Sequence, residues 1–335
     1  MNKLNRFCDL LRIYLSYCLK KEYCNYYPIR IWIELSSRCN LKCRLCYNRN
    51  LPPGQKGDMN FKLYRKIIDE SKGKVHDVNL FHRGEPLLNK DIIPMIEYAG
   101  GRGIKTRIHT NATLMNKELD SKMIKAGLDL ISFSFDGYTK EVYERNREGA
   151  CFEETLGNII DFLEIKKKLK SKKPYTVIQV MLDDKESGSG MAKKQKRDFI
   201  KNFKNLPLDK MVTRVPHNWG GLVEMDKKSE NKETIKRKKR ASCTFPWYSL
   251  TIFFNGKVSP CPQDFEGRIC LGDVNKEKIE EIFNGKAIRK LRKIFKYGII
   301  DNVTPCRNCD RIGRKSFLGV PGEYLGVFIR EHLTG

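Results

Sequence analysis

Cys39, Cys43 and Cys46 follow one another in a C-x3-C-x2-C spacing. Three thiolates on one short loop can hold three corners of a cubane [4Fe–4S] cluster, because thiolates are the usual ligands of such clusters. No fourth cysteine is nearby, so one iron would stay open to a small molecule, whereas structural zinc sites and electron-transfer clusters normally have four protein ligands. The spacing favours an open cluster, and a zinc ion completed by a distant residue is the alternative.

A second set of cysteines lies near the C terminus, where Cys243, Cys261, Cys306 and Cys309 form a C-x17-C-x44-C-x2-C pattern. Four ligands predict a closed site, which holds either an iron–sulfur cluster or a zinc ion. Cys270 is close enough in sequence to Cys261 to be a substitute ligand. Because we expect an intracellular protein, its 12 cysteines indicate metal or redox chemistry rather than disulfides.

The first cysteine set must be positioned by the segment between residues 29 and 216, where short β-rich runs alternate with longer helical ones. The predicted strands are 29–35, 76–81, 104–110, 129–135, 174–182 and 209–215. The predicted helices are 60–72, 90–101, 115–126, 139–169 and 191–204. This alternation predicts a parallel sheet with crossover helices. We expect an α/β fold, a partial (β/α)6 TIM-like barrel with a small cysteine-rich domain after it.

A C-x3-C-x2-C loop directly after the first strand of a βα barrel resembles the radical S-adenosylmethionine (SAM) superfamily. The resemblance implies that the open iron binds SAM, and that an electron from the reduced cluster cleaves SAM to methionine and a 5′-deoxyadenosyl radical. It also implies a ferredoxin or flavodoxin as the reductant. The family often has an aromatic residue just before the third cysteine; here Leu45 stands there and Tyr47 follows instead.

Further matches to the family lie at the C-terminal ends of strands two, three and four, where barrel enzymes have their catalytic residues. The stretch 82–86, His-Arg-Gly-Glu-Pro, resembles the Gly-Gly-Glu-Pro motif whose carboxylate accepts from the SAM ammonium, with arginine in place of the first glycine. Strand four ends in a Ser-x-Asp that resembles the polar group meeting the SAM methionine or ribose. The resemblance implies these cofactor-binding residues: Gly84, Glu85, Asn111, Ser134 and Asp136.

The sequence around the second cysteine set resembles the auxiliary-cluster domains of the same superfamily, called SPASM and, in the short form, twitch. Four cysteines favour one auxiliary [4Fe–4S] cluster, with zinc as the alternative, and their spacing is similar to that of the 2-deoxy-scyllo-inosamine dehydrogenases. An Asn255-Gly256 hairpin turn and a helix over 276–296 are expected here. The predicted organisation is an N-terminal helix (1–28), the barrel (29–216), a charged linker (217–242), the auxiliary domain (243–312) and a tail (313–335).

The chain has 65 basic and 40 acidic residues, a net charge of +25. Such an excess suits nucleic acid, an anionic membrane surface or an acidic partner. Much of it sits in lysine-rich runs at 166–173, 193–197 and 226–240, which we interpret as solvated faces or loops. Because these runs lack interleaved aromatic residues, nucleic-acid binding is disfavoured.

Residues 4–24 carry apolar side chains at steps of three and four, which predicts an amphipathic helix. A terminal helix of this kind packs on its own domain or lies on a membrane surface. No apolar run reaches the roughly 18 residues of a membrane span, and no secretory signal is evident. We expect a cytoplasmic protein.

A closed auxiliary cluster beside the substrate would accept an electron, so the predicted reaction is the two-electron oxidation of a sugar, polyol or other small polar metabolite. That reaction needs a proton acceptor, for which His217 and Asp264 are the first candidates and Arg214 and Tyr248 the weaker ones. A peptide maturase is the main alternative, disfavoured because about 28 residues precede the first strand. An RNA-modifying enzyme and a non-catalytic iron–sulfur protein are the remaining alternatives.

Overall fold

The computed structural model describes residues 3–182, 190–223 and 243–312, together with two short strands, Ser316–Phe317 and Val320–Pro321. Most of the predicted linker and tail therefore lie outside the described residues. The chain divides into two compact units. We call Ile33–Ile68 with Val78–Pro216 the barrel unit, and the described parts of Met1–Trp32, Asp69–Asp77 and His217–Gly335 the cysteine unit.

All six strands predicted between residues 29 and 216 are present, each slightly shorter than expected. They are β1 (Arg30–Ile33), β2 (Asp77–Asn79), β3 (Lys105–Thr110), β4 (Leu130–Ser134), β5 (Tyr175–Met181) and β6 (Lys210–Arg214). The division between the units falls within β1 and β2. The strands β3 to β6 pair in parallel in chain order, which confirms the α/β architecture of a partial barrel.

The described helices of this segment lie between these strands in chain order. They are α2 (Phe61–Ser71), α3 (Ile92–Gly100), α4 (Lys117–Lys125), α5 (Lys140–Asn146), α6 (Phe152–Lys168) and α7 (Gly190–Lys201). In β3 the even-numbered residues are buried and the odd-numbered ones partly exposed. In β4, Phe133 packs edge-on against Phe162 of α6 with ring centroids 5.4 Å apart. The buried face of β3 and the contact between Phe133 and Phe162 thus contribute to the core between sheet and helices.

The prediction of one helix over 139–169 is wrong, because the chain leaves the helical conformation between α5 and α6. Gly149 has φ +96°, a left-handed conformation that glycine adopts without steric penalty. The interpretation of the lysine runs as solvated is wrong for Lys166, which is buried and pairs with Asp209 at 2.8 Å.

The cysteine unit begins with α1 (Lys3–Cys18), and β1 lies beside its antiparallel strands. The other elements are α8 (Phe245–Tyr248), β7 (Ser249–Ile252), β8 (Lys257–Ser259), β9 (Gly272–Asp273), α9 (Ile279–Asn284) and α10 (Lys286–Tyr297). The predicted hairpin turn is confirmed, with Gly256 at φ +91°. The helix predicted over 276–296 is two helices, since Gly285 is extended between them.

A buried arginine ties together the parts of the cysteine unit. The Arg292 guanidinium is fully buried and donates to the carbonyl oxygens of Glu22, Pro246 and Phe283, each at 2.9 Å. No helix in the described part of the chain is long and apolar enough to cross a membrane.

Candidate cluster and cofactor site

Cys39, Cys43 and Cys46 lie on the loop that follows β1, and their thiols interact with one another. Burial raises the pKa of Cys39 to about 11 and that of Cys46 to about 12, and it also raises the pKa of Cys43. Neighbouring thiols add to the shift at Cys39 and Cys46, because bringing negative charges together in a low dielectric is unfavourable. Bare thiolates are thus disfavoured here, and iron ions would stabilise them, so these residues fit the cluster that the sequence predicts.

The backbone of this cysteine loop is held by the connection between α5 and α6. Lys42 donates its N–H to the carbonyl oxygen of Glu148, and Arg44 donates to that of Asn146, both at 3.0 Å. A Cβ on Gly149 would lie 3.5 Å from the Leu41 side chain, so this connection packs directly against the loop. The sequence-based prediction of one continuous helix missed this support, and the glycine at position 149 was the signal that could have revealed it.

Gly84 lies against the start of the same loop. A Cβ at this position would lie 2.3 Å from the Arg38 carbonyl oxygen and 2.5 Å from that of Ser36. Glu85 donates its N–H to the Arg38 carbonyl oxygen at 2.8 Å. The Asn48 amide donates to the carbonyl oxygens of Ser37 and Arg83, at 2.7 and 2.8 Å. The loop and the segment after β2 are thus joined by a backbone hydrogen bond and by the Asn48 side chain.

The Glu85 carboxylate is buried and accepts three hydrogen bonds. One oxygen accepts from the Thr110 hydroxyl at 2.8 Å and from the Leu87 N–H at 3.1 Å, and the other accepts from the Asn111 N–H at 2.7 Å. Burial raises the pKa of Glu85 although these donors act against the shift. The three donors fix the orientation of the carboxylate, which is a requirement for any group that must meet a ligand in one geometry.

Asn111 links the end of β3 to the cysteine loop. Its side-chain amide donates to Asn40 Oδ1 at 2.9 Å and lies 3.9 Å from Cys39 Sγ. Its side-chain oxygen accepts from the Thr113 hydroxyl at 2.7 Å. The structure thus brings together two of the predicted cofactor-binding residues, Glu85 and Asn111, beside the first cysteine.

Asp136, after β4, is paired with an arginine that the sequence did not indicate. Asp136 Oδ2 lies 2.8 Å from Arg147 Nη2, and its Oδ1 accepts from the Met181 N–H at 3.1 Å. Arg147 Nη1 reaches to 4.0 Å from Cys43 Sγ. Burial alone would lower the pKa of Arg147, but Asp136 and Cys43 raise it, so the guanidinium stays charged. Ser134, at the end of β4, is paired in register with Gln179 of β5 and is partly exposed.

The arginine that replaces the first glycine of the family motif pairs with Glu34, the residue directly after β1. Arg83 Nε and Nη2 donate to the two carboxylate oxygens of Glu34, at 2.6 and 2.8 Å, and both residues are buried. Burial alone would raise the pKa of Glu34, but hydrogen bonds from Arg83 and His82 hold it at about 2. This bidentate pair fixes the segment before Gly84 onto the end of β1.

The four cysteines of the second set come together in the cysteine unit. Burial raises the pKa of Cys243 to about 12 and that of Cys309 to about 11, and it raises the pKa values of Cys261 and Cys306 still further. The Cys261 thiol interacts electrostatically with the other three. Four mutually interacting thiols fit a closed metal centre. Cys270 is exposed, and its thiol contacts the Gly272 carbonyl oxygen at 3.8 Å. All 12 cysteines lie among the described residues, and none of them is in a disulfide.

The segment after β6 packs on the last two cysteines of this set. The Asn218 side chain donates to the Asn308 carbonyl oxygen at 2.7 Å and accepts from the Asp310 N–H at 3.3 Å. Gly220 has φ +65°, and a Cβ there would lie 2.4 Å from the Pro305 side chain. A side chain at Gly220 would therefore displace the turn that carries Cys306.

The two leading candidates for a catalytic base differ in their surroundings. The Asp264 carboxylate is buried and accepts from the Ser259 hydroxyl and from the N–H groups of Arg268 and Ile269, at 2.8 to 2.9 Å. These contacts make it an organiser of the loop after Cys261. Among the described residues, neither buried ring nitrogen of His217 has a hydrogen-bond partner. Burial and the neighbouring Arg311 lower the pKa of His217 to about 3, so its imidazole is neutral.

The two weaker candidates for the base, Arg214 and Tyr248, lie at the ends of secondary-structure elements in different units. Arg214 is the last residue of β6, in the barrel unit. Tyr248 ends α8 in the cysteine unit and stacks on Phe245, with ring centroids 5.5 Å apart.

The fold and these sites define a class of protein, a partial βα barrel with an open three-cysteine loop after its first strand and a closed four-cysteine site in a second unit. Residues 33–184 match the family model of the radical SAM superfamily, and residues 243–310 match the SPASM iron–sulfur cluster-binding domain. The chain belongs to the radical SAM superfamily and has a C-terminal SPASM domain, which confirms the resemblance found in the sequence. Members bind a [4Fe–4S] cluster and SAM, and SPASM domains hold auxiliary iron–sulfur clusters.

Two curated relatives illustrate how far the similarity extends. The tungsten-containing aldehyde ferredoxin oxidoreductase cofactor-modifying protein of Pyrococcus furiosus is 31% identical over 109 residues, which is 32% of this chain and 30% of the relative. The antilisterial bacteriocin subtilosin biosynthesis protein AlbA of Bacillus subtilis is 24% identical over 283 residues, 79% of this chain and 61% of the relative. The chain thus spans less than two thirds of the length of either relative.

Solved structures share the fold along most of the chain. BtrN in complex with AdoMet and 2-DOIA has a TM-score of 0.57 at 17% identity, covering 84% of this chain and 93% of that one. Streptococcus suis SuiB bound to precursor peptide SuiA has a TM-score of 0.61 at 16% identity, covering 88% of this chain and 72% of that one. At these identities the likeness establishes the fold alone.

Proposed function

We propose that this protein is a radical SAM oxidoreductase that removes two electrons and two protons from a sugar, polyol or other small polar metabolite. In this proposal Cys39, Cys43 and Cys46 hold a [4Fe–4S] cluster. With SAM bound and a ferredoxin or flavodoxin as reductant, that cluster supplies a 5′-deoxyadenosyl radical, which can take hydrogen from unactivated carbon. The protein's own part is to bind, orient and exclude water.

The residues around the cysteine loop suit that task. The Glu85 carboxylate is already oriented by Thr110 and Asn111, and it would accept a charge-assisted hydrogen bond from the SAM ammonium. Arg147 places a buried positive charge 4.0 Å from Cys43 Sγ, which offsets the negative charge of the thiolates. The other predicted cofactor-binding residues remain predictions: Gly84, Asn111, Ser134 and Asp136.

The observation that carries the oxidative assignment is the closed set of Cys243, Cys261, Cys306 and Cys309. Because four mutually interacting thiols leave no coordination position for a substrate, the auxiliary centre is suited to accept an electron rather than to bind a ligand. We infer that it is a single [4Fe–4S] cluster. Oxidation of the substrate radical then needs only this acceptor and a base for the proton.

We assign the base to His217 rather than Asp264. Both Asp264 oxygens already accept hydrogen bonds that organise their own loop. The neutral His217 ring has nitrogens without protein hydrogen bonds among the described residues, so one of them can accept from a substrate hydroxyl. The likeness to BtrN, solved with AdoMet and 2-DOIA, supports a small-molecule substrate.

Peptide modification is the second candidate, and two observations favour it. The match to the subtilosin biosynthesis protein covers 79% of this chain, and SuiB, which shares the fold, was solved with a precursor peptide. A peptide substrate would use the same barrel and the same auxiliary centre, so the fold does not separate the two substrate classes.

The test removes one ligand of the auxiliary centre from anaerobically reconstituted protein. Cys261→Ala should lower bound iron from about eight to about four per chain, since the three-cysteine site is untouched. Reductive SAM cleavage should continue, whereas the product two mass units lighter than its substrate should disappear. Amino sugars, polyols and precursor-type peptides are supplied in parallel to identify the substrate class. Cys270→Ala is the matched control, because that cysteine is exposed and should change neither quantity.

Two results would overturn the proposal. If Cys261→Ala forms the oxidised product at the wild-type rate, the auxiliary centre is structural. If only peptides are modified, the peptide assignment replaces the small-molecule one. A variant that also stops cleaving SAM has lost more than the auxiliary centre, and Cys309→Ala then repeats the test at another ligand of the same site.

A further inference from the structure

Helix α1 exposes its apolar side to solvent. Three large apolar residues of α1 are exposed at intervals of four, and Leu19, whose N–H donates to the Leu15 carbonyl oxygen directly after the helix, continues the series: Phe7 (53%), Leu11 (46%), Leu15 (46%) and Leu19 (63%). Residues spaced by four lie close together on one side of a helix, so they form a continuous apolar stripe. We call these four residues the α1 stripe.

The opposite side of α1 is the one that packs on the cysteine unit. Ile13 and Ser16 are buried, and the Tyr17 ring lies edge-on to Trp247 with centroids 5.5 Å apart. Asp9 Oδ2 lies 3.2 Å from the buried His76 ring. These contacts anchor the helix through the face opposite the stripe. Packing on its own domain explains one face of this helix, and the apolar face remains to be explained.

Basic side chains border the α1 stripe. Arg12 stands about 100° around the helix from Leu11, since consecutive helical residues are separated by about that angle, and its side chain is 64% exposed. Lys21, just beyond the end of α1, is also exposed. The whole chain carries a net charge of +25. An apolar stripe with basic borders is typical of helices that lie in the headgroup region of a membrane.

Charge complementarity decides between the occupants of this surface. A second copy of the chain would bring Arg12 and Lys21 toward the same groups of its partner, and two copies with +25 each repel one another. An anionic lipid surface attracts the same groups and buries the same apolar side chains. We propose that α1 lies in the plane of an anionic membrane surface, with the α1 stripe at the acyl boundary and Arg12 and Lys21 among the headgroups.

The experiment uses flotation of the full-length, cluster-loaded protein with vesicles. Phosphatidylcholine vesicles with phosphatidylglycerol should carry the protein to the top of the gradient, and vesicles of phosphatidylcholine alone should carry much less. The double variant Leu11→Asp, Leu15→Asp should bind the anionic vesicles at least about tenfold more weakly, because two leucines that the membrane would bury are replaced by anions. Ile200→Asp in α7, where the isoleucine is 43% exposed, is the matched control and should bind like wild type.

The contacts that anchor α1 lie on the face opposite the stripe, so the double variant should stay folded and keep its iron. Failure of the wild-type protein to bind anionic vesicles would overturn the proposal. Binding that the double variant and the control retain equally would overturn it as well, because another surface would then be responsible. A concentration-dependent dimer that the double variant dissociates would assign the stripe to a second copy instead. None of these outcomes depends on the proposed reaction.

Discussion

Replacing Gly84 by alanine tests whether the segment after β2 positions the cysteine loop. The new methyl group would lie 2.3 Å from the Arg38 carbonyl oxygen, 2.5 Å from that of Ser36 and 2.7 Å from the Ser37 carbonyl carbon. All three are backbone atoms, so no side-chain rotation relieves the contacts. Carbon and oxygen need to be about 1 Å further apart to reach ordinary contact distance. The loop that carries Cys39 must therefore move by about that amount.

A displacement of this size has two measurable consequences. Steric overlap in a packed region lowers the free energy of unfolding by about 3 kcal/mol when only backbone can yield, which denaturant titration detects. A misplacement of about 1 Å lowers the rate of a positioned reaction roughly 100-fold, so reductive SAM cleavage should fall by that factor. Bound iron should drop toward about four per chain, since the cysteine unit keeps its own site.

Gly54→Ala is the matched control, because no atom lies within 4 Å of a Cβ at that position. Neither glycine has a positive φ, so backbone strain does not separate the two variants. The control should keep wild-type stability, iron content and SAM cleavage. The reasoning fails if Gly84→Ala behaves like Gly54→Ala, since the cysteine loop would then tolerate a displacement that the backbone contacts forbid.

Three further substitutions test single side chains. Glu34→Gln leaves the buried Arg83 guanidinium opposite a neutral amide and should lower the free energy of unfolding by about 3 kcal/mol at pH 7. Because the pKa of Glu34 is held at about 2, the stability difference between wild type and variant should shrink only as the pH falls from about 4 toward 2. Burial, with Asp161 nearby, raises the pKa of Asp120 to about 7, so the stability of the wild type should decrease as the pH rises from about 4 through 7. Asp120→Asn should therefore unfold at a higher temperature than wild type at pH 8 and at the same temperature at pH 4, and equal melting at pH 8 would show that the carboxylate is solvated. His217→Gln should spare SAM cleavage and abolish substrate oxidation if His217 takes the proton, and unchanged product formation would remove it from that role.

The parts of the fold that the sequence predicted correctly are those set by local pattern. Six strands and the three-cysteine spacing follow from residues close together in the chain, and the family match confirms the class of protein that they indicate together with the second cysteine set. Helix ends that depend on a single residue were harder to predict from the sequence, as Gly149 and Gly285 show. Both glycines stand inside runs that otherwise favour helix, so propensity summed over the run hid the interruption.

The orientation of α1 could not be predicted from the same kind of pattern. Apolar residues at steps of three and four establish that one face is apolar, but not whether that face is turned toward the protein. The orientation depends on contacts with distant residues such as His76 and Trp247. The position of Asp264 three residues after Cys261 was equally ambiguous, because a carboxylate in that place can organise a loop or serve a substrate.

The support of the cysteine loop shows why side chains far apart in sequence must be considered together. The loop is held through its backbone, by the N–H groups of Lys42 and Arg44, while its contact with a charged side chain comes from Arg147, 104 residues away from Cys43. Backbone hydrogen bonds do not depend on which side chains stand between the cysteines. The family's aromatic residue can thus be replaced by Leu45 without loss of the loop's position. Arg147 has no such freedom, because its guanidinium contacts Asp136 on one side and Cys43 on the other. The three cysteines would supply the cluster ligands, and the residues that hold their loop in place lie outside the cysteine motif, on the α5–α6 connection.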